Sequence, residues 1–384
     1  PTLLEKLGLR QFKQRRPLKA EKWCEACDGE GKVANFQGLL EDISKGGVCP
    51  SIRATVWPFL LGLVDPNSTA AARSTQSEAL QKRYAHLTDQ CKALQKELLD
   101  GSTSKIAEGE GGDNGGDNGG GEATNPVNAE EYKENRRILN LDLVRTDFSS
   151  MNLTGLSGNG EGDWQERLTA DASAMGVNDH VEGAEYLSRD QKQCAKYMGK
   201  LLLCYSVHDP QTGYCQGMTD LVQPFAQIFQ EEARSFWAFE RFMRTARENF
   251  MTDESGISKR ISQVKMVVCD LAPDLFEKLN GIGAESFFFT YRMILVFLRR
   301  ELSLSDSILF LELLWAEEKM AREEEQPEFI CFCIVALIME RSNEIMNACK
   351  AESDVVHMFC NLKINVWHMV EEARFVRDKW LNHA

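Results

Sequence analysis

The chain has 384 residues, of which 27% are charged and 43% hydrophobic, a composition that is ordinary for a globular protein. Its formal net charge of −14 argues against nucleic acid or an anionic membrane surface as the main partner. The 12 cysteines are scattered and stand mostly in apolar helical surroundings. That usage is typical of reduced, buried thiols and indicates a cytoplasmic protein.

Along the chain, the first 37 residues carry basic and polar patches and predict an irregular N-terminal arm. A helical domain follows from residue 38, beginning with a short helix between Gly38 and Ser44. The run Val56–Gly62 predicts a buried helix in which Trp57 is the aromatic anchor.

A longer helix is predicted from the capping box Thr75-x-x-Glu78 to the stop signal Asp100-Gly101. Its apolar residues alternate at spacings of four and three: Leu80, Tyr84, Leu87, Cys91, Leu94 and Leu98. A heptad stripe of about three repeats allows a coiled-coil dimer through residues 78–100. Because the stripe is short, we favour packing against the same domain and expect a monomer.

Two stretches interrupt the helical pattern. Residues 101–128 are rich in Gly, Asp, Asn and Glu and predict a disordered acidic insertion. Residues 149–185, which include a second Gly-rich run at 157–162, are also predicted to be a disordered loop.

Two patterns resemble metal sites, and both are incomplete. Cys24-x-x-Cys27 has the spacing of half a zinc site and Cys49 is the next candidate ligand, but no fourth ligand follows nearby. The Gly-Asp-Asn repeats between Glu108 and Glu122 lack the apolar period of a calcium β-roll and the spacing of an EF-hand loop. We therefore expect no metal site.

The segment 136–147 predicts the end of a helix that is pressed into a core. Asp142 and Arg145 interrupt its apolar positions at a spacing of three, so they share one face of the helix. One interpretation is a structural ion pair at the helix end. The other is that one of the two side chains points at another molecule.

About 70 residues further on, Asp209-Pro210 and Thr212-Gly213 mark a turn, after which an amphipathic helix begins. Gln216 and Gly217 stand at its entrance, where unpaired backbone N–H groups favour an anion. Gly217 would also allow another molecule's backbone to approach closely. The plainer interpretation is a tight turn with a capping glutamine.

The remaining chain continues the helical pattern, with predicted helices over Ile261–Leu279, Ser286–Leu302 and Ile308–Trp315. Phe329–Met339 is apolar throughout but too short to span a bilayer, so it predicts a buried helix and no membrane insertion. Residues 351–384 predict one or two further helices packed on the domain. No hairpin signal and no strand–helix alternation appears, so the predicted fold class is all-α.

The two motif-bearing segments together resemble the TBC domain family, whose members are GTPase-activating proteins for Rab-type small GTPases. The family motifs stand here as Leu139-x-x-Asp142-x-x-Arg145, with leucine in place of isoleucine, and as Tyr214-Cys215-Gln216-Gly217. Val56–Gly62 resembles the start of such a domain, and Tyr291-Arg292-Met293 resembles a Phe-Arg-Trp segment of its second half. The resemblance covers roughly residues 38–350 and implies a two-lobed helical domain.

The resemblance also implies roles for individual residues. Arg145 would be an arginine finger and Gln216 a second, water-orienting finger, both supplied in trans to a GTP-bound Rab. Asp142, Tyr214 and Gly217 would support them, and Arg292 would contribute to binding the GTPase. The chain has no Walker-type loop, so GTP and magnesium would arrive on the partner and no cofactor of its own is expected.

Other functional classes fit the sequence less well. A catalytically silent Rab-binding module or scaffold would not need both Arg145 and Gln216. A helical solenoid predicts a repeat that the sequence lacks, and a stand-alone hydrolase predicts a Gly-x-Ser-x-Gly elbow or a zinc pattern that it also lacks. The expected setting is the cytoplasm, at the periphery of Rab-bearing endomembranes, in vesicle trafficking.

Overall fold

The computed structural model describes residues 16–101, 127–153, 163–177, 184–321 and 326–383. Within these ranges the secondary structure is helical, with no strand and only two isolated bridges, Leu18 to Val48 and Cys27 to Val33. The predicted all-α fold class is confirmed.

The chain divides into two compact units. Unit 1 comprises residues 1–76 and 241–384, and unit 2 comprises residues 77–240. The helices that lie wholly in unit 1 are α1 (Ala20–Glu25), α2 (Phe36–Gly46), α3 (Arg53–Leu60), α10 (Ser255–Leu271), α11 (Pro273–Gly281), α12 (Tyr291–Leu295), α13 (Leu304–Met320), α14 (Phe329–Glu340), α15 (Ser342–Ala348), α16 (Glu352–Cys360) and α17 (Val366–Leu381). Those wholly in unit 2 are α5 (Ala129–Arg145), α6 (Asp163–Ala174), α7 (Arg189–His208) and α8 (Met218–Phe229). The divisions fall inside α4 (Ala70–Asp100) and α9 (Glu232–Ala246).

In unit 1, one buried carboxylate joins segments that are far apart in the sequence. Glu312 of α13 is fully buried and accepts hydrogen bonds from the Val48 backbone N–H, the Arg53 Nε and the Trp57 Nε1, at 2.8–3.0 Å. Burial raises the pKa of Glu312, and the Arg53 guanidinium opposes that rise. The predicted anchor, Trp57, is buried and therefore holds this network as well as the core.

The C-terminal helices belong to the core of unit 1. Every residue of α14 from Phe329 to Met339 is buried, as predicted for an apolar run too short to cross a membrane. The last helix, α17, packs on α14, and its Arg374 and Arg377 form ion pairs with Glu317 at 2.6–2.7 Å.

Unit 2 is built around α7, in which every residue from Cys194 to Ser206 is buried. Its buried Lys200 amine pairs with Asp171 of α6 at 3.0 Å and with Glu232 of α9 at 2.8 Å. A buried amine is tolerated when it is paired in this way, and here the pairing holds three helices together.

Helix α4 begins five residues before the predicted capping box. Thr69 is the capping residue, because its hydroxyl accepts the Ala72 N–H at 3.2 Å. The Thr75 hydroxyl instead donates back to the Ala71 carbonyl at 3.3 Å, inside the helix. The prediction that α4 starts at Thr75 was therefore wrong, while its end at Asp100 is confirmed.

The heptad residues of α4 face unit 2 itself. Tyr84, Leu87 and Cys91 are buried, and the Tyr84 ring lies 5.2 Å from that of Phe236. The expected packing within the domain is what the structure contains, and it covers the middle of the face that a coiled coil through residues 78–100 would need, whereas Leu80, Leu94 and Leu98 are half-buried.

The stretch 149–185 is not loop throughout, because α6 lies inside it. Leu168, Ala172 and Met175 are buried and recur at helical spacing, which explains the helix. The loop prediction was wrong there, and the Gly-rich run at 157–162 lies outside the described residues, as does most of 101–128. The N-terminal arm likewise contains a helix, α1, which buries Trp23.

Two predicted helices of the second half are interrupted. Ser286–Leu302 contains only a short 3-10 turn and α12, because Phe297 and Leu298 adopt the left-handed conformation, with φ of 49° and 58°. Ile261–Leu279 is divided at Ala272, since Pro273 has no N–H to continue α10 and instead starts α11.

Candidate functional site

The site begins at the end of α5. Asn128 starts this helix with a full capping box, in which its side chain accepts the Glu131 N–H at 2.9 Å and its own N–H donates to the Glu131 carboxylate at 3.2 Å. Leu139 and Leu143 are buried and fix the face that α5 turns to the core. The helix end is therefore pressed into a core, as predicted.

Asp142 is only 7% exposed and joins the two motifs. Its Oδ2 atom accepts three hydrogen bonds, from the Tyr214 hydroxyl at 2.5 Å, the Gly217 N–H at 3.0 Å and the Thr219 hydroxyl at 3.1 Å. Three donors to one buried carboxylate oxygen satisfy its charge without a cation. The interpretation of Asp142 and Arg145 as an ion pair was wrong.

Gly217 precedes α8 and has a φ of +101°, a left-handed conformation that favours glycine. Its N–H is one of the free donors at the start of α8, and the anion that it binds is the chain's own Asp142. Gly217 is buried, so the turn conformation supplies a reason for glycine that does not depend on the approach of another molecule.

Tyr214 is buried, and its backbone gives the loop a second attachment to α5. The Tyr214 N–H donates to the Asn135 side-chain oxygen at 2.9 Å. Burial and the neighbouring Asp142 carboxylate raise the pKa of the Tyr214 hydroxyl well above its usual value, so this hydroxyl stays a donor. Our sequence reasoning missed Asn135, since nothing local marks a helical asparagine as a partner for a distant loop.

The segment that follows Arg145 is held by glutamines of α8. Gln223 donates to the Asp147 carbonyl at 2.8 Å. The Gln227 side chain accepts the Asn152 N–H at 2.8 Å and donates to the Asn152 carbonyl at 3.0 Å, so it satisfies both backbone groups of that residue. These residues were also missed, although Thr219, Gln223 and Gln227 recur every four residues, a polar stripe visible in the sequence.

Arg145 and Gln216 are both exposed. In the part of the chain that the structure describes, neither side chain makes a hydrogen bond, ion pair or ring contact. Arg145 lies one helical turn beyond Asp142, and Gln216 directly precedes Gly217, which binds Asp142. The buried carboxylate therefore brings two uncommitted polar side chains to the surface from segments that are more than 70 residues apart.

Arg292 belongs to unit 1, whereas the other candidate residues belong to unit 2. Its guanidinium contacts Glu301 Oε1 through Nε at 2.8 Å and through Nη2 at 2.7 Å, and the side chain is 41% exposed. The neighbouring Met293, which stands at the tryptophan position of the family segment, is buried.

No group of three potential metal ligands among His, Cys, Asp and Glu side chains occurs within the described ranges. None of the helices described here is both long and apolar enough to cross a membrane.

Comparison with known proteins shows which family part of the chain resembles. Residues 177–346 match the family model of the Rab-GTPase-TBC domain, a range that includes Tyr214, Gln216 and Arg292. This match covers less than half of the chain, and it shows that this segment is similar to the TBC domain family. The first motif, with Asp142 and Arg145, lies ahead of the matched range.

Relatives extend the similarity over most of the chain. It is 26% identical to Rab GTPase-activating protein 22 of Arabidopsis thaliana, over 94% of the chain and 80% of that protein. It is 25% identical to the GTPase-activating protein GYP7 of Debaryomyces hansenii and 24% identical to that of Yarrowia lipolytica. The chain spans 42% and 39% of the length of these two yeast relatives.

A solved structure supports the fold. The crystal structure of the Ypt/Rab-GAP domain of Gyp1p aligns with a TM-score of 0.60 over 94% of this chain and 98% of that one, at 15% identity. At this identity the likeness concerns the fold, and it agrees with the predicted all-helical TBC architecture.

Proposed function

We propose that this chain accelerates GTP hydrolysis by a Rab-type small GTPase in its GTP form, by supplying Arg145 and Gln216 to the active site of the GTPase. One observation carries the proposal: two exposed side chains, which have no partner among the described residues, stand on segments that the buried carboxylate of Asp142 joins. A polar side chain that only stabilises the fold normally has a hydrogen-bond or ion-pair partner within the protein. Arg145 and Gln216 are instead held in place by their backbones while their side chains face solvent.

Arg145 has the chemistry of an arginine finger. Charge develops on the oxygens of the transferred phosphoryl group, and an arginine supplied in trans contributes roughly 10³–10⁵ in rate. Guanidinium suits this role because it is always charged and presents a planar fork to phosphate oxygens. Since no ion pair with a described residue holds Arg145, it can reach an incoming phosphate without first losing such a partner.

Gln216 has the chemistry of a water-orienting group. Its side-chain amide has an acceptor oxygen and two N–H donors, so it can accept a hydrogen bond from the attacking water while it donates one to a neighbouring oxygen. Its place beside Gly217 gives it a rigid base, because the Gly217 backbone is bound to Asp142. This glutamine would replace the one with which small GTPases orient water themselves.

Asp142, Tyr214 and Gly217 act as positioning residues rather than catalytic ones. They are buried and bound to each other, so they would reach neither nucleotide nor water directly. GTP and magnesium would come bound to the partner. Arg292, held by Glu301, is proposed to contact the GTPase from unit 1.

The protein is therefore proposed to be an activator that completes the active site of another protein, at Rab-bearing membranes and as a monomer. The similarity to proteins named GTPase activators supports this proposal. The burial of the α4 heptad residues supports the monomer.

The test is phosphate release from a panel of GTP-loaded Rab proteins, with catalytic amounts of the full chain. We expect at least one Rab to be accelerated by orders of magnitude. If none is accelerated but one binds in its GTP form, the chain is a silent Rab-binding module and the activator proposal fails.

A further inference from the structure

A cavity lies between α6 and α7 in unit 2, and its α6 wall falls within the stretch 149–185 that was predicted to be loop. It encloses ≈ 820 Å³, within the range of small-molecule sites. None of Asp142, Arg145, Tyr214 or Gln216 lines it. The proposed GTPase-activating function leaves this cavity without a role.

The α7 wall of the cavity is cationic. Arg189, Lys192 and Lys196 line it and follow one another at spacings of three and four, so they share one face of the helix. At 1.5 Å per residue they extend over about 10 Å. Lys196 lines the cavity although its residue is only 8% exposed, so this row of charge reaches the protein interior.

The α6 wall supplies neutral polar groups. Gln165, Thr169 and Ser173 line it at a spacing of four. Among the described residues that line the cavity, only Glu166 is acidic, in a chain whose net charge is −14.

Several of these groups are uncommitted. Within the described ranges the Lys192 ammonium has no ion pair, and the hydroxyls of Thr169 and Ser173 have no hydrogen bond. The Arg189 guanidinium makes a single long hydrogen bond, to the Gln165 side chain at 3.4 Å. Arg189 and Lys192 thus bring positive charge to one concave site, where the hydroxyls of Thr169 and Ser173 add neutral donors.

We propose that this cavity binds a small anion that carries several phosphate groups, of the inositol polyphosphate class. Arginine and lysine are the side chains that bind phosphate oxygens, and hydroxyls add neutral donors. A row of cations about 10 Å long exceeds what one phosphate can contact, which is why the ligand carries several. The same headgroup chemistry occurs free in solution and on inositol phospholipids.

The experiment measures binding of the full chain to inositol hexakisphosphate by calorimetry at physiological salt. A parallel arm measures binding to phosphatidylcholine vesicles with and without phosphatidylinositol bisphosphate. The test variant is Arg189→Glu with Lys192→Glu. The matched control, Lys96→Glu with Lys133→Glu, changes the net charge equally at exposed positions of unit 2 outside the cavity.

The cavity variant should lose at least tenfold in affinity, about 1.4 kcal/mol, while the control stays near wild type. A second variant, Thr169→Ala with Ser173→Ala, keeps the charge and should weaken binding about threefold if its hydroxyls donate to the ligand. Binding confined to vesicles would identify a lipid headgroup, and binding to the soluble anion would identify a free ligand. No binding in either arm, or equal losses in the cavity and control variants, would overturn the proposal.

Discussion

At the scale of single residues, the candidate site depends on Asp142. Of the three hydrogen bonds that Asp142 accepts, the one from the Tyr214 hydroxyl is the shortest, at 2.5 Å. A hydrogen bond to a buried charge contributes about 1.5–3 kcal/mol, and its loss leaves the carboxylate less satisfied. The loop that carries Gln216 is attached through this bond, so stability and activity should respond together.

Tyr214→Phe should therefore lower the free energy of unfolding by about 1.5–3 kcal/mol, measured by urea titration. The control is Tyr186→Phe, because Tyr186 is 85% exposed and should change stability by less than about 0.5 kcal/mol. Equal effects of the two substitutions would show that the hydrogen bond to Asp142 contributes little.

Glu318 of α13 predicts a specific dependence of stability on pH. Burial, reinforced by the nearby Glu328, raises the pKa of Glu318 from 4.5 to about 8, against the opposing charges of Arg260 and Lys319. Above pH 4.5 the unfolded chain loses this proton while the folded chain keeps it. The stability that the group contributes is therefore fully present at acidic pH and is lost as pH rises through 8.

Glu318→Gln removes the titration, so its thermal midpoint relative to wild type should rise between pH 5 and pH 9. Differential scanning fluorimetry at pH 5, 7 and 9 measures this difference. Glu78→Gln, at an exposed position of α4, is the control for a glutamate-to-glutamine substitution at the surface. A difference for Glu318→Gln that is flat or falls with pH would contradict a raised pKa.

At the scale of elements, the two ends of α4 illustrate what local sequence can show. The stop at Asp100-Gly101 was predicted correctly because Gly101 adopts a φ of +62°, the usual role of glycine after a helix. The start was misplaced because Thr75 and Glu78 fit a capping box that the structure does not use. Several threonines can satisfy a capping pattern, and only the hydrogen bonds decide between them.

Thr69→Ala should lower the free energy of unfolding by about 1 kcal/mol, because it removes the side chain that caps α4. Thr75→Ala should be neutral or slightly stabilising, since alanine is the better helix former inside a helix. Thermal unfolding of the two variants side by side tests the start of α4. The reverse order of stabilities would restore the capping box at Thr75.

The start of α8 depends on Gly217 because of its left-handed backbone. Gly217→Ala should destabilise the chain by about 1–2 kcal/mol, the cost of a side chain in that conformation. Gly281→Ala is the matched control, because Gly281 ends α11 without a positive φ and has open space where a Cβ would lie. The Gly281→Ala variant should be as stable as wild type or more stable. If both variants lost stability to a similar extent, backbone strain at Gly217 would not be the cause of the loss.

The turn at Phe297 and Leu298 and the helix α6 were not predicted from the local sequence, for two different reasons. Phe297 and Leu298 are bulky apolar residues with positive φ, and no sequence signal marks such residues for a turn. Helix α6 did have a signal, the helical spacing of Leu168, Ala172 and Met175, but its Gly-rich neighbourhood favoured a loop. Periodicity succeeded where a run was long and apolar, as in α14.

At the scale of the whole molecule, folding brings together two motifs that are about 70 residues apart in the sequence. Helical periodicity predicted the elements that carry Arg145 and Gln216, and the family resemblance paired them, but neither indicated the atoms that connect them. The connections run from Asp142 to Gly217 and from Asn135 to Tyr214, over more than 70 residues of chain. Such contacts depend on tertiary packing rather than on local spacing, which is why Asn135 and Gln227 were missed.

The activator proposal also belongs to the scale of the whole molecule, because the reaction needs a second protein. It requires Arg145 to act on the partner rather than to stabilise its own helix. Arg137 offers a comparison on the same helix, since it is exposed and forms an ion pair with Glu134 at 2.7 Å. Arg137 therefore has a partner on its own helix, whereas Arg145 has none among the described residues. Both are exposed, so either can be replaced without disturbing the core.

The most direct measurement is single-turnover phosphate release from a responsive GTP-loaded Rab, with wild type, Arg145→Ala and Arg137→Ala compared at saturating protein. We predict that Arg145→Ala loses roughly 10³-fold or more of the acceleration, while its thermal midpoint and the activity of Arg137→Ala stay near wild type. Arg145→Ala that accelerates hydrolysis as well as Arg137→Ala does would contradict the arginine-finger assignment.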